Sequence, residues 1–108
     1  MTYSEAWLEE LPDLSKVGGF IRSPLGGTRY WLPLVRKWAD ARCLEIEWID
    51  NSSIRVPVTS DQALEFLIEL KAAENDHFTG NHARYVHPRD IAAAIELGKR
   101  YAIVAEEW

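Results

Sequence analysis

The chain reads as an α+β domain. The expected form is a small antiparallel sheet, hairpin-rich and of three to four strands, with two C-terminal helices packed on one face and a short N-terminal helix. Three observations predict this. Leu44, Ile46 and Trp48 alternate with Glu45 and Glu47, the two-residue period of a strand with one apolar face and one wet face. Across residues 60–74, Ala63, Leu64, Phe66, Leu67, Ile68 and Leu70 recur at helical spacing as one wide apolar stripe. The strand-like segments come first and the helix-like ones afterwards, without the βα alternation of a parallel sheet.

In chain order, Thr2 and Glu5 have capping-box spacing and Pro12 follows, so residues 4–10 predict a short helix. Residues 16–23 and 28–32 predict strands, joined by the turn sequence Pro24-Leu25-Gly26-Gly27. Residues 33–41 fit two readings. Pro33 suits the first turn of a helix in which Leu34, Val35 and Trp38 share a face, yet the same residues also prolong the strand. Residues 43–50 and 54–58 make the clearest hairpin. A loop of Asn51-Ser52-Ser53 pairs Trp48 with Val56 and Ile46 with Val58, and sets Arg55 on the face of Glu47. Thr59 or Ser60 caps the helix over 60–74. Residues 75–87 read as a polar loop. Pro88 opens a second helix running to residue 104, with Ile91, Ala94, Ile95, Gly98, Tyr101 and Ala102 along one side. The predicted core comprises Leu44, Ile46, Trp48, Val56, Leu64, Leu67, Ile68, Ile91, Ile95 and Tyr101.

The length of 108 residues suits one domain, 1–108. Hydrophobic residues at 47% and charged residues at 27% are a globular balance and oppose disorder. Seventeen acidic residues against twelve Lys and Arg leave a formal charge of −5, which disfavours sequence-independent binding to a phosphate backbone. The single cysteine, Cys43, can build neither a disulfide framework nor a zinc site and points to a reducing compartment. The N-terminus lacks a basic region followed by an apolar run. No apolar stretch reaches the ~20 residues that span a bilayer. A cytoplasmic protein without membrane association is expected.

Five chemistry-bearing patterns compete. His77, His82 and His87 fall near Asp76 and Asn81, but their spacing matches no standard metal site. Gly18-Gly19 and Gly26-Gly27 resemble a phosphate cradle only superficially, because Thr28-Arg29 leads towards a strand with no Lys following. Glu45 and Glu47 form a carboxylate pair on an exposed strand face, and Cys43 has no histidine beside it in sequence. No nucleophile elbow or zinc-protease motif is present, so an enzyme is not expected, and no metal or cofactor is assigned. Arg22, Arg29, Arg36, Lys37 and Arg42, interleaved with Tyr30, Trp31 and Trp38, carry an alternative reading as a nucleic-acid-associated accessory protein. A small enzyme or metal-dependent protein centred on the histidine loop is a further alternative.

The acidic pattern carries the leading expectation. Asp61, Glu65 and Glu69 are spaced by four and form one ridge of the helix over 60–74, and Glu5 and Glu9 repeat the spacing near the N-terminus. Like charges at that spacing weaken a helix. A chain shaped only for folding would more often alternate them with Lys. The five residues Asp61, Glu65, Glu69, Glu5 and Glu9 are therefore the candidate contacts of a small acidic protein-binding module, an inhibitor or immunity-type protein that occupies a basic surface of a partner protein.

Overall fold

The computed structural model describes residues 4–19, 31–72 and 88–107. Eight elements follow in order: β1 (Ser4–Leu11), β2 (Ser15–Gly19), α1 (Trp31–Ala41), β3 (Glu47–Asp50), β4 (Ser53–Thr59), α2 (Ser60–Ala72), α3 (Pro88–Ala94) and β5 (Arg100–Glu107). The strands form one antiparallel sheet in the order β2-β1-β5-β4-β3, with helices packed against it. This is the expected α+β class with one more strand than the sequence suggested.

Two of the strands, β1 and β5, replace expected helices, and the C-terminal one corrects the helix expected over 88–104. Helix α3 stops at Ala94, and Gly98 takes a positive φ of 86°, a conformation that glycine adopts without steric cost. Arg100 to Glu107 then run as the central strand. β5 pairs with β1 along its whole length, from Leu11↔Arg100 to Ser4↔Glu107, and with β4 from Thr59↔Arg100 to Ser53↔Glu106. Tyr101, Ala102, Ile103, Val104 and Ala105 are all buried. β5 is apolar on both faces, with Tyr101, Ile103 and Ala105 on one and Ala102 and Val104 on the other, and so reads as a continuous run. That run matched a helical stripe only by coincidence of spacing.

The helix expected over 4–10 is likewise a strand, β1. Ala6 and Leu8 are fully buried, and Trp7 and Glu9 point to the other side of the sheet. The two-residue period therefore overrides the capping spacing, which involved Thr2 outside the described residues. The strand expected over 16–23 is β2 up to Gly19, and 20–23 lie outside the described residues. So do the turn at 24–27, residues 28–30, and the loop at 75–87. Trp31 and Leu32, expected to end a strand, open α1 instead, which settles 33–41 as helix with Trp31, Val35, Trp38 and Ala39 buried.

The 43–50/54–58 hairpin exists, with a different register. Glu47 faces Arg55, Trp48 faces Ile54, and the pairing shifts before Asp50↔Ser53. Strand β3 begins only at Glu47, and Trp48 is 50% exposed where burial was expected. The cause is position: β3 is the sheet margin, beyond the reach of α2, and Arg36 stacks over the Trp48 ring at 5.5 Å instead. Ile68, 65% exposed, lies on α2 away from the core residues Ala63, Phe66 and Leu67. Leu44, Ile46, Leu64 and Ile95 are half-buried, and Val56, Leu67, Ile91 and Tyr101 are buried as expected.

The core gathers Ala6 and Leu8 of β1, Ile54, Val56 and Val58 of β4, and Tyr101, Ile103 and Ala105 of β5 under the three helices. Those residues share one face through the register of β1, β5 and β4. Gly18, paired with Leu8, brings β2 so close to α3 that a Cβ there would lie 2.9 Å from Ile91 Cγ1. α2 starts with reciprocal bonds: the Gln62 amide donates to Thr59 Oγ1 at 3.2 Å, and the Thr59 amide donates to Gln62 Oε1 at 3.0 Å. That is a capping box with Thr59 as the cap.

Candidate interaction surface

The opposite face of the sheet carries Glu5, Trp7, Glu9 and Leu11 of β1, Arg100, Ala102, Val104 and Glu106 of β5, and Ser53, Arg55 and Pro57 of β4. Its side chains are organised in rows across the strands. In the central row Trp7, Val104 and Arg55 are successive neighbours, and Val104 is fully buried between them. Trp7 Nε1 donates to Glu9 Oε1 at 3.1 Å, and Arg55 Nε donates to Glu9 Oε2 at 3.2 Å. These two bonds satisfy a carboxylate that is only 8% exposed, as a buried charge requires. Glu9 is thus a fixed structural anion at the centre of this face.

The adjoining row is acidic. Glu5 and Glu106 are direct cross-strand neighbours, Ser53 follows on β4, and Asp50 faces Ser53 from β3. Burial pushes the Glu106 carboxyl above its ordinary range, and the charges of Asp50, Glu5 and Glu9 add to the rise, with Lys16 opposing it. Lys16 Nζ lies 3.9 Å from Glu5 Oε1 and 5.1 Å from the centre of the Trp7 ring. A shallow hollow beside this row is lined by Asp50, Asn51, Ser52, Ser53, Glu106 and Glu107. The far end of the face mixes both signs of charge. There Leu11, Pro12, Glu47, Pro57, Gly98, Lys99 and Arg100 line a second hollow, and Lys99 Nζ is held by Glu10 at 2.7 Å and Glu96 at 2.9 Å.

The α2 ridge has a different character. Arg42, just past the end of α1, donates through Nε to Glu65 Oε1 at 2.7 Å and bridges to Glu69. Its guanidinium lies over the Trp38 ring at 4.6 Å, with a pKa raised above the ordinary value chiefly by the hydrogen bond to Glu65. Trp38 in turn packs edge-on against Phe66 of α2 at 4.9 Å. Among the described residues, its buried Nε1 is the polar side-chain atom without a hydrogen-bond partner. Glu65 and Glu69 therefore join α2 to α1 within the protein, and Asp61 stands exposed at the start of the helix. Of the five candidate contacts, Glu5 and Glu9 lie on the sheet face, on a strand rather than the expected helix, and the other three on α2. The structure does not bring the two groups together.

The remaining patterns separate. Trp31 and Trp38 are 3% and 7% exposed, so neither offers a ring face for stacking a base. Arg22, Arg29, Tyr30 and the three histidines lie outside the described residues. Cys43 is exposed. Among the described residues no group of three or more His, Cys, Asp and Glu is arranged to hold a metal ion, and no helix is long and apolar enough to cross a membrane. Comparison with family models, with curated proteins and with solved structures finds no match for the chain. Sequence reasoning missed Glu106, Asp50 and Trp7. The available signal was the run Ile103-Val104-Ala105 followed by Glu106-Glu107, two β-branched residues in an apolar run that ends in charge, as a strand leaving a core does.

Proposed function

We infer that the protein is a small binding module whose acidic sheet face docks on a basic surface of a partner protein. One observation carries the reading: Glu5 and Glu106 sit directly opposite one another across β1 and β5, with Asp50 near enough to help raise the Glu106 carboxyl. Like charges placed opposite on a sheet destabilise it, and a cationic partner would relieve that cost on binding. Trp7 supplies a large, half-buried aromatic beside the acidic row, the residue type that dominates binding energy at interfaces. The α2 ridge contributes less, because Arg42 already answers Glu65 and Glu69. An inhibitor or immunity-type role is the specific form of this function.

The test compares three baits in affinity capture from cell lysate. Wild type should retain a basic protein at low salt and release it as salt rises. The Glu5→Lys/Glu106→Lys bait should fold and lose that partner. A Glu65→Lys/Glu69→Lys bait should keep the partner but melt at a lower temperature, since it sets two lysines against Arg42. Retention of the same partner by the first variant, or its loss only in the second, overturns the assignment to the sheet face.

A further inference from the structure

We propose that the margin of β3 takes up an extended, lysine- or arginine-bearing segment of the partner protein as a sixth strand. The proposal rests on the basic-partner reading above and gives it a binding mode. β3 pairs only with β4 among the described residues, so alternate backbone N–H and C=O groups along it face outward. Folded proteins blunt such an edge with short strands, charges, Pro or bulges; β3 is short and carries two carboxylates and a register shift, but it has no Lys or Pro. β3 is Glu-Trp-Ile-Asp with all four residues exposed, and Trp48 and Ile49 expose 50% and 48% of their surface. The other margin, β2, carries Lys16 and two glycines. The register shift falls at Ile49, between the pairs Trp48↔Ile54 and Asp50↔Ser53, so Glu47 and Trp48 are the regular part of the receptive stretch Glu47 to Ile49.

Charge selects the occupant. Glu47 and Asp50 flank the two apolar residues, Glu45 precedes them, and Glu106 and Glu107 line the hollow beside Asp50. A second copy is a poor fit. Two-fold antiparallel pairing with Trp48 against Ile49 would set Glu47 opposite Asp50 twice, between chains that each carry −5. A strand alternating apolar and basic side chains meets both the exposed apolar side chains and the carboxylates, the pattern of recognition by strand addition.

The experiment titrates 15N-labelled protein with a blocked (Lys-Val)4 peptide and follows amide exchange. At saturation those amides between Glu47 and Ile49 that face away from β4 should exchange about tenfold more slowly. The same peptide with alternate backbone nitrogens methylated, and (Glu-Val)4, should give no protection. If both lysine peptides instead perturb Glu5 and Glu106 equally and leave Glu47 to Ile49 unprotected, strand addition is overturned and the acidic-face reading stands. If neither lysine peptide binds, both readings fail. Protection of Glu47 to Ile49 without any peptide, together with a dimer in sedimentation, would make a second copy the occupant and overturn the proposal.

Discussion

Cys43 shows how one residue can end a helix under strain. Its φ is 55°, in the left-handed region that costs a residue with a Cβ roughly 1–2 kcal/mol. The conformation persists because it closes α1: the Leu44 amide donates to Ala39 O at 3.0 Å, and the Cys43 amide donates to Asp40 O at 3.2 Å. This paired geometry is the Schellman ending, which normally takes glycine. Cys43→Gly should stabilise the protein by about 0.5–1 kcal/mol after the added freedom of the unfolded chain is counted, seen as a higher urea midpoint at unchanged slope. Gly18 presents the opposite case. Its missing Cβ is what lets Ile91, itself 2% exposed, pack against β2. Gly18→Ala should destabilise by about 1–3 kcal/mol through overpacking, and the same change should cost less on an Ile91→Ala background, which removes the Cγ1 atom that the new Cβ would meet. Neither role could be assigned from residue type: a cysteine after a helix and a glycine in a strand each have several common explanations.

Elements were most legible where their reasons are local. α2 declares itself through Thr59 and Gln62, three residues apart, and through the apolar stripe that Ala63, Phe66 and Leu67 complete. The β3–β4 hairpin declares itself through alternation, though its register does not. Trp48↔Ile54 and the expected Trp48↔Val56 differ by two residues and keep the same face inward, so periodicity could not separate them. β1 and β5 were misread because they depend on one another. β5 joins the β1–β2 hairpin to the β3–β4 hairpin, and without it neither pair has a sheet to belong to. Ile103, fully buried between Leu8 and Val56, stands at this junction. Ile103→Ala should cost about 2–5 kcal/mol, more than the same change at the half-buried Ile95, in paired denaturation curves. The partner of Ile103, Leu8, is 95 residues away in sequence, 103 less 8, so folding should be slow relative to a helical protein of this size.

The whole molecule has two unlike sides. Among the described residues, helices and apolar strand residues fill one; Glu5, Glu9, Glu106, Lys16 and Arg55 occupy the other, crossing from an acidic row to an end of mixed charge. This arrangement has a pH signature. Because the Glu106 pKa is raised in the folded state, the native protein binds more protons than the unfolded chain just above the ordinary glutamate range. The contribution of this group to stability is therefore most favourable below that range and declines as pH rises through the folded-state pKa. Glu106→Gln should remove that decline, so its melting temperature should gain on wild type between about pH 5 and about pH 7. A gain that is the same at both pH values would show that Glu106 does not titrate with the acidic row. From composition and short-range pattern alone came the α+β class, the positions of α2 and of the β3–β4 turn, the helix start at Pro88, and the acidic balance of the surface. Those features depend on interactions within a few residues, which the order of the chain contains. The sheet order, the burial of Trp31 and Trp38, the capture of Glu65 and Glu69 by Arg42, and the meeting of Glu5 with Glu106 depend on which distant segments become neighbours. That choice is made by closing one core around β5, where a strand apolar on both faces finds its lowest free energy between two partners that no local pattern names.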